Sequence, residues 1–116
     1  MPRFVILAHD HPFPHWDLMF ECGDALRTWR LLEEPGPDRV VAAEPLADHR
    51  KHYLDYEGSV SGDRGVVKRV ESGVFSGDPA AAAEQPLRLN GTAWMVEASL
   101  EIGPSGQRWR FQSIAG

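Results

Sequence analysis

The segment from His15 to Leu32 does most to restrict how this chain can fold. Polar and apolar residues alternate through His15-Trp16-Asp17-Leu18-Met19-Phe20-Glu21, Gly23-Asp24 follows, and a second run continues from Ala25. A period of two belongs to an extended strand, and a Gly-Asp pair between two such runs specifies a tight hairpin. If Gly23-Asp24 is the turn, Cys22 faces Ala25, Phe20 faces Arg27, Leu18 faces Trp29 and Asp17 faces Arg30. Leu18, Trp29, Phe20, Trp16 and Leu31 then share an apolar face, and His15, Asp17, Met19, Thr28 and Arg30 share a polar one. A slip of one residue would bury Arg30 beside Leu18, so the pattern favours this register.

The rest of the chain has the same texture. Glycine (11) and proline (9) recur as punctuation among the 116 residues, with short β-like runs between them. Expected strands are Phe4 to Ala8, Trp16 to Cys22, Ala25 to Leu32, Leu87 to Leu89, Thr92 to Ile102 and Gln107 to Ile114. Glu33 to Arg39 reads as a loop, Val40 to Ala43 as a strand or one helical turn, and Pro45 to Gly58 as mixed or loop. Val66 to Val70 and Val74 to Phe75 suggest a hairpin about Ser72-Gly73. Asp78 to Pro86, with four consecutive alanines, reads as a surface connection or short helix. The expectation is an all-β fold: one domain over residues 1–116, a small closed or partly open barrel of about seven or eight mostly antiparallel strands with little helix.

Composition narrows the classes. Hydrophobic residues make up 42%, enough for one core, and four tryptophans and five phenylalanines make it aromatic. No apolar run approaches the roughly 18 residues of a membrane span. The run after Met1 is short and stops at His9-Asp10, so no cleaved leader is expected. The single cysteine, Cys22, cannot form an internal disulfide and reads as structural, so the expected location is cytoplasmic. The net charge of −5 argues against coating duplex DNA but not against holding one phosphate at a strand end.

Two clusters carry chemistry. The first is His9-Asp-His-Pro-Phe-Pro-His15-Trp-Asp17. His9 ends an apolar run, and His15 and Asp17 lie on one strand face, so the three can converge. Two imidazoles and a carboxylate suit a divalent transition metal with positions left open. The same residues also suit local hydrogen bonding in a turn. His11 reads as solvent-exposed. Glu21, two positions beyond Met19 on the same face, either orients a ligand or is an ordinary exposed residue. The second cluster is Asp48-His49-Arg-Lys-His-Tyr53-Leu-Asp55-Tyr-Glu-Gly58. It is either a polar loop with an aromatic anchor or a phosphate site, where His49 and Tyr53 donate hydrogen bonds and His49 protonates a leaving group.

Together these clusters resemble the 3′-phosphoesterase domain found at the N-terminus of bacterial ligase D, the end-joining DNA ligase, and in free-standing proteins. That family has a strand ending in histidine, then His-Tyr-Asp-Phe-Arg-Leu-Glu, a tight turn, Leu-Lys-Ser-Trp, Asp-His-Pro-Leu-x-Tyr and Asp-Phe-Glu-Gly. The matching segments here are Phe-Val-Ile-Leu-Ala-His9, His15-Trp-Asp17-Leu-Met-Phe-Glu21, Gly23-Asp24, Leu26-Arg-Thr-Trp29, Asp48-His49-Arg-Lys-His-Tyr53 and Asp55-Tyr-Glu-Gly58. The agreement covers roughly residues 4 to 60. The resemblance implies a metal-binding β-barrel that removes 3′-phosphates or 3′-ribonucleotides from DNA ends in repair. It implies manganese as the metal, with zinc or another transition ion as alternatives. It matches His9, His15 and Asp17 to the metal ligands, and His49 and Tyr53 to residues that grip phosphate. Implied partners are DNA or DNA/RNA 3′ ends, with a separate ligase or polymerase downstream and no membrane.

The departures concern charge. The family arginine two residues after the aspartate is Met19 here, the lysine of its Val-Pro-Lys-Gly-Pro segment falls at Glu33, and its glycine-rich loop shrinks to Ser61-Gly62-Asp63-Arg64-Gly65. Arg30, opposite Asp17 in the expected hairpin, is the candidate replacement, either reaching the phosphate or bracing Asp17. Two other functions remain consistent with the sequence: a weak or inactive relative that binds nucleic-acid ends or a protein partner, and a hydrolase of small phosphoesters.

Overall fold

Alternating residues between glycine and proline turns fold here into a sheet that closes on itself. The computed structural model describes residues 1–114 and contains nine strands. They are β1 (Arg3–His9), β2 (His15–Cys22), β3 (Ala25–Leu31), β4 (Arg39–Arg50), β5 (Gly58–Ser59), β6 (Val66–Ser76), β7 (Leu87–Gly91), β8 (Met95–Gly103) and β9 (Gly106–Ser113). The neighbour order is β1-β2-β3-β4-β9-β8-β7-β6, and β6 pairs back onto β1, so eight antiparallel strands close a barrel. β5 is an additional short strand on the first residues of β6. Two 3₁₀ turns, Lys51–Leu54 and Pro79–Ala81, interrupt the strands. Among the described residues no helix is long and apolar enough to cross a membrane.

The β2–β3 hairpin has the register that its alternation requires, from Cys22 opposite Ala25 to Asp17 opposite Arg30. Its apolar face points into the barrel. There Leu18, Phe20, Trp29 and Leu31 meet Phe4, Ile6, Phe75, Trp109 and Phe111, with Trp16 packed against them. Phe20 lies edge-on to Phe75 at 5.1 Å, and Trp29 edge-on to Trp109 at 5.1 Å.

The other face differs from expectation. His15, Asp17, Met19 and Thr28 share it, yet all four are buried. Val5, Leu7, Met19, Leu26, Leu54 and Val67 form a second apolar cluster on this outer side, with Tyr53, Tyr56 and Val60 packed on it. Residues 51–60 thus form a layer over the outer wall of the barrel. Polar ties hold the layer down: Lys51 to Glu21 at 2.9 Å, Arg3 to Asp55 at 2.6 Å, and the Arg69 N–H to the Glu57 carboxylate at 2.8 Å. Glu21 therefore anchors this layer and contacts none of His9, His15 and Asp17.

Several boundaries also move. Instead of a short strand and a loop, residues 39–50 form one long strand. Pro45 sits in it opposite Trp29, beyond the stretch Arg39 to Ala43 that pairs with β9, where its missing N–H leaves no ladder bond unmade on that side. No hairpin forms about Ser72-Gly73, because β6 runs straight through. Gly73 is required for close packing instead: a Cβ there would lie 2.0 Å from the Asn90 carbonyl oxygen. Within 78–86, Ala82 is buried in the core, so that segment is not purely surface. Cys22 is exposed at the hairpin end, where partial burial still pushes its thiol up, against the pull of Arg27.

β8 begins at Met95 rather than Thr92 because residues 92–94 fold onto a buried carboxylate. Glu71 accepts hydrogen bonds from the N–H groups of Ser72, Thr92, Ala93 and Trp94 and from the Thr92 hydroxyl. Burial opposes its charge, but the Thr92 hydroxyl and the Ala93, Ser72 and Thr92 N–H groups outweigh that and hold its carboxyl below the usual glutamate range. A group whose folded value is depressed contributes stability above its unfolded value and loses it as the pH falls through the folded value. Stability from Glu71 should therefore fade below about pH 4.5, the ordinary glutamate value. In Glu71→Gln one oxygen becomes an NH₂ aimed at N–H donors, so we expect a loss of about 2–3 kcal/mol at neutral pH. Urea unfolding at neutral and acidic pH should also show a flatter acid dependence for the variant than for the wild type.

Candidate functional site

His9 and His15 face each other across the open end of the β1–β2 pair, and Asp17 lies two residues along β2, opposite Leu7. Alternation puts all three on the outer face. Their ring and carboxylate ligand atoms lie within 4.8 Å of one another, and the two imidazole centroids are 4.9 Å apart.

Backbone carbonyls settle which nitrogens face inward. His15 Nδ1 lies 2.8 Å from the Phe13 carbonyl oxygen, and His9 Nε2 lies 2.8 Å from that of Arg64. A carbonyl can only accept, so both of these nitrogens carry a proton and donate. The remaining nitrogens, His9 Nδ1 and His15 Nε2, lie 3.6 Å and 3.2 Å from the Asp17 carboxylate oxygens. With neutral rings these are lone pairs facing a carboxylate. Asp17 Oδ1 is buried and receives no hydrogen bond from the described residues. Three acceptors turned toward one another in a buried corner are unfavourable unless positive charge sits between them. Ligands about 2.1 Å from a shared ion are roughly 3.0–3.4 Å apart, close to the 3.2 Å and 3.6 Å that separate Asp17 from the two imidazoles. The carbonyls of Phe13 and Arg64 supply the outer hydrogen bonds that fix imidazoles as ligands. The donor set therefore fits a divalent transition metal.

The covering layer brings in the second cluster. β4 passes beyond its pairing with β9, places His49 opposite Leu26, and enters the turn holding Tyr53. The His49 and Tyr53 rings are 6.0 Å apart. His49 Nδ1 donates to the Ala47 carbonyl oxygen at 3.0 Å, which leaves Nε2 free to exchange a proton. Between layer and wall lies a cleft of about 240 Å³, lined by His9, Asp17, Met19, Arg30, His49 and Tyr53 among others. Every site residue selected from sequence lines it except His15, which is buried.

Arg30 lines the cleft. It makes no ion pair with Asp17. Its guanidinium stands over the Phe13 ring, 5.3 Å from the centroid, and faces the cleft. Its Nε is buried without an acceptor among the described residues. Met19 forms part of the apolar floor. Glu33 lies outside the cleft, where its carboxylate accepts from the Ala42 N–H at 2.9 Å.

His11 is exposed, as expected, but also lines the cleft, and the sequence reading did not select Arg64, which lines it as well. Arg64 comes from the loop between β5 and β6. Gly62, Asp63 and Gly65 of that loop all have positive φ. A Cβ on Gly65 would lie 2.1 Å from Asp10 Oδ1 and 2.7 Å from His11 Cβ, so the loop is docked on the segment that follows His9. The available signal was the Gly-x-x-Gly spacing of Gly62 and Gly65, which marks a turn but not its docking partner.

No protein-family model matches this sequence, and no curated protein matches it.

The site depends on the layer staying down, and Leu54 is its buried apolar anchor. Leu54→Ala should cost about 2–4 kcal/mol in denaturant unfolding. Hydrogen exchange should speed up across residues 51–60 while β8 and β9 keep their protection.

Proposed function

We propose that this protein is a divalent-metal-dependent phosphoesterase that clears 3′-phosphates or 3′-ribonucleotides from DNA ends in repair, leaving a 3′-hydroxyl for a ligase or polymerase. The observation that carries this reading is the inward-facing trio of His9 Nδ1, His15 Nε2 and the Asp17 carboxylate, of which His9 and Asp17 line a cleft together with an unpaired guanidinium and a His/Tyr pair. The resemblance to the ligase D phosphoesterase domain supports the DNA-end substrate.

His9, His15 and Asp17 would hold the ion; manganese is the first candidate, and zinc also fits this donor set. When bound, such an ion polarises a phosphate oxygen and makes its bound water a better nucleophile. Tyr53 donates its hydroxyl proton in a hydrogen bond to a phosphate oxygen. Arg30 sets a fixed positive charge beside the developing negative charge. Leu7, Met19 and Val67 keep the floor of the cleft dry, which strengthens those interactions. As water attacks phosphorus and the bond to O3′ breaks, His49 as imidazolium delivers its Nε2 proton to the departing oxygen. The products are a 3′-hydroxyl and inorganic phosphate.

One observation favours a second substrate class. Most cationic side chains outside the cleft are paired: Arg3 with Asp55, Arg39 with Glu34, Lys51 with Glu21, Arg69 with Glu57, and Arg108 and Arg110 with Glu101. Arg27, Arg50, Lys68 and Arg88 are the cations left outside the cleft without an ion pair among the described residues, and with a net charge of −5 a short end or a small phosphoester suits the surface better than a duplex tract.

The test is incubation of a 3′-phosphorylated primer-template with MnCl₂. Wild type should release phosphate and leave an extendable 3′-hydroxyl. His15→Ala should lose at least about a hundredfold in rate through lost metal, and Arg30→Ala about tenfold to a hundredfold through lost charge. Absence of product from wild type with every divalent metal tried would remove the DNA-end reading, and turnover of small phosphoesters alone would select the second class.

A further inference from the structure

Two guanidiniums line the cleft, Arg30 from β3 and Arg64 from the loop before β6. Neither forms an ion pair among the described residues; six other cationic side chains do, and Arg27, Arg50, Lys68 and Arg88, which also do not, lie outside the cleft. Two unpaired like charges in one small cleft repel each other unless an anion lies between them.

Arg64 is also held in place. Its Nε donates to the Ser61 carbonyl oxygen at 2.7 Å and its Nη2 to the Ser61 hydroxyl at 3.3 Å. These bonds fix the plane of the guanidinium and leave Nη1 uncommitted. The Gly65 contact with Asp10 and His11 ties the loop to the segment carrying His9. The Arg64 carbonyl, meanwhile, fixes His9. One residue thus orients an imidazole through its backbone and presents a cation through its side chain.

We propose that Arg64 binds phosphate in this cleft and that, with Arg30, it selects a dianionic phosphate monoester over a diester. The proposal rests on the phosphoesterase reading above and, within it, selects 3′-phosphates over 3′-ribonucleotides, whose removal cuts a diester. A terminal phosphate offers three unesterified oxygens and close to two negative charges, whereas a diester offers two oxygens and one charge. Arg30, Arg64 and Tyr53 supply three donors for the first. A charge-assisted contact of this kind changes affinity by about tenfold or more.

The experiment measures binding rather than turnover, on the full chain, with inorganic phosphate and dimethyl phosphate as probes, by calorimetry with and without Mn²⁺. Mn²⁺ affinity is measured separately from the paramagnetic signal of the free ion. Wild type should bind inorganic phosphate at least about tenfold more tightly than dimethyl phosphate. Arg64→Ala should lose most of that difference, Arg64→Lys should regain part of it, and both should hold Mn²⁺ like wild type because the carbonyl that fixes His9 is unchanged. Unaltered phosphate affinity in Arg64→Ala overturns the proposal and leaves the metal-dependent reading standing. Parallel loss of Mn²⁺ and phosphate in both variants also overturns it, since Arg64 then acts only by holding His9. Failure of wild type to bind Mn²⁺ removes the metal-dependent reading itself, whatever Arg64 does.

Discussion

The outer wall of this barrel is dry, and the candidate site depends on that. In an ordinary small barrel the inward face of each strand is apolar and the outward face meets water. Here Leu54 and the side chains around it seal the outward face of β1, β2 and the start of β6. Phe4, Val5, Ile6 and Leu7 are all buried, so β1 has the unbroken apolar run of a strand covered on both sides. His9 and His15 stand at the end of the β1–β2 pair, and His9 and Asp17 line the cleft between wall and layer. Polar groups there sit at the edge of an apolar sandwich, where charge interactions are stronger than on an open surface. The same layer carries Tyr53 and follows directly on His49 at the end of β4, so closing the layer also brings that pair to the site.

Two short loops do the remaining positioning. The Asp10–Pro14 segment supplies the Phe13 carbonyl to His15, and the loop before β6 supplies the Arg64 carbonyl to His9. Asp10 links the two loops by accepting the Val66 N–H at 2.8 Å. The lone pairs facing Asp17 therefore follow from backbone geometry on both sides of the β1–β2 wall rather than from any contact between the histidines and other side chains. A change in either loop would turn a ring without altering a ligand.

Local periodicity made part of this legible. The hairpin register followed from alternation, because a one-residue slip would have exchanged its faces, and the convergence of His9, His15 and Asp17 followed from the same parity. What parity could not reveal was a second layer. Met19 was placed on a polar face because its cover, Leu54 and Tyr53, comes from more than thirty residues away. Gly73 looked like a turn because the backbone it must clear, at Asn90, is equally remote. β4 was hidden by Pro45 and its charged neighbours, which are tolerated where the strand lacks a second partner. Arg64 was passed over because nothing local shows that its loop docks on Asp10 and His11.

Met19 is best understood through the same covering layer. Its side chain is fully buried beside Val5, Leu7, Leu26 and Leu54. A guanidinium rooted there would have to be desolvated beneath the layer or reach past it, and an unpaired buried charge is costly. Methionine instead completes the apolar floor and adapts to its shape. The neighbouring strand offers a less costly root for a cation. Arg30 stands opposite Asp17, at the rim rather than under the cover, with Phe13 to support its flat face. Arg64 approaches from the far side on a loop that stays exposed. Positive charge at the cleft is thus carried by residues that remain partly hydrated, and the dry floor is left to residues that tolerate dryness. An arginine at position 19 and a tightly closed layer over Leu54 are competing demands on the same space, and this chain has resolved them in favour of the layer.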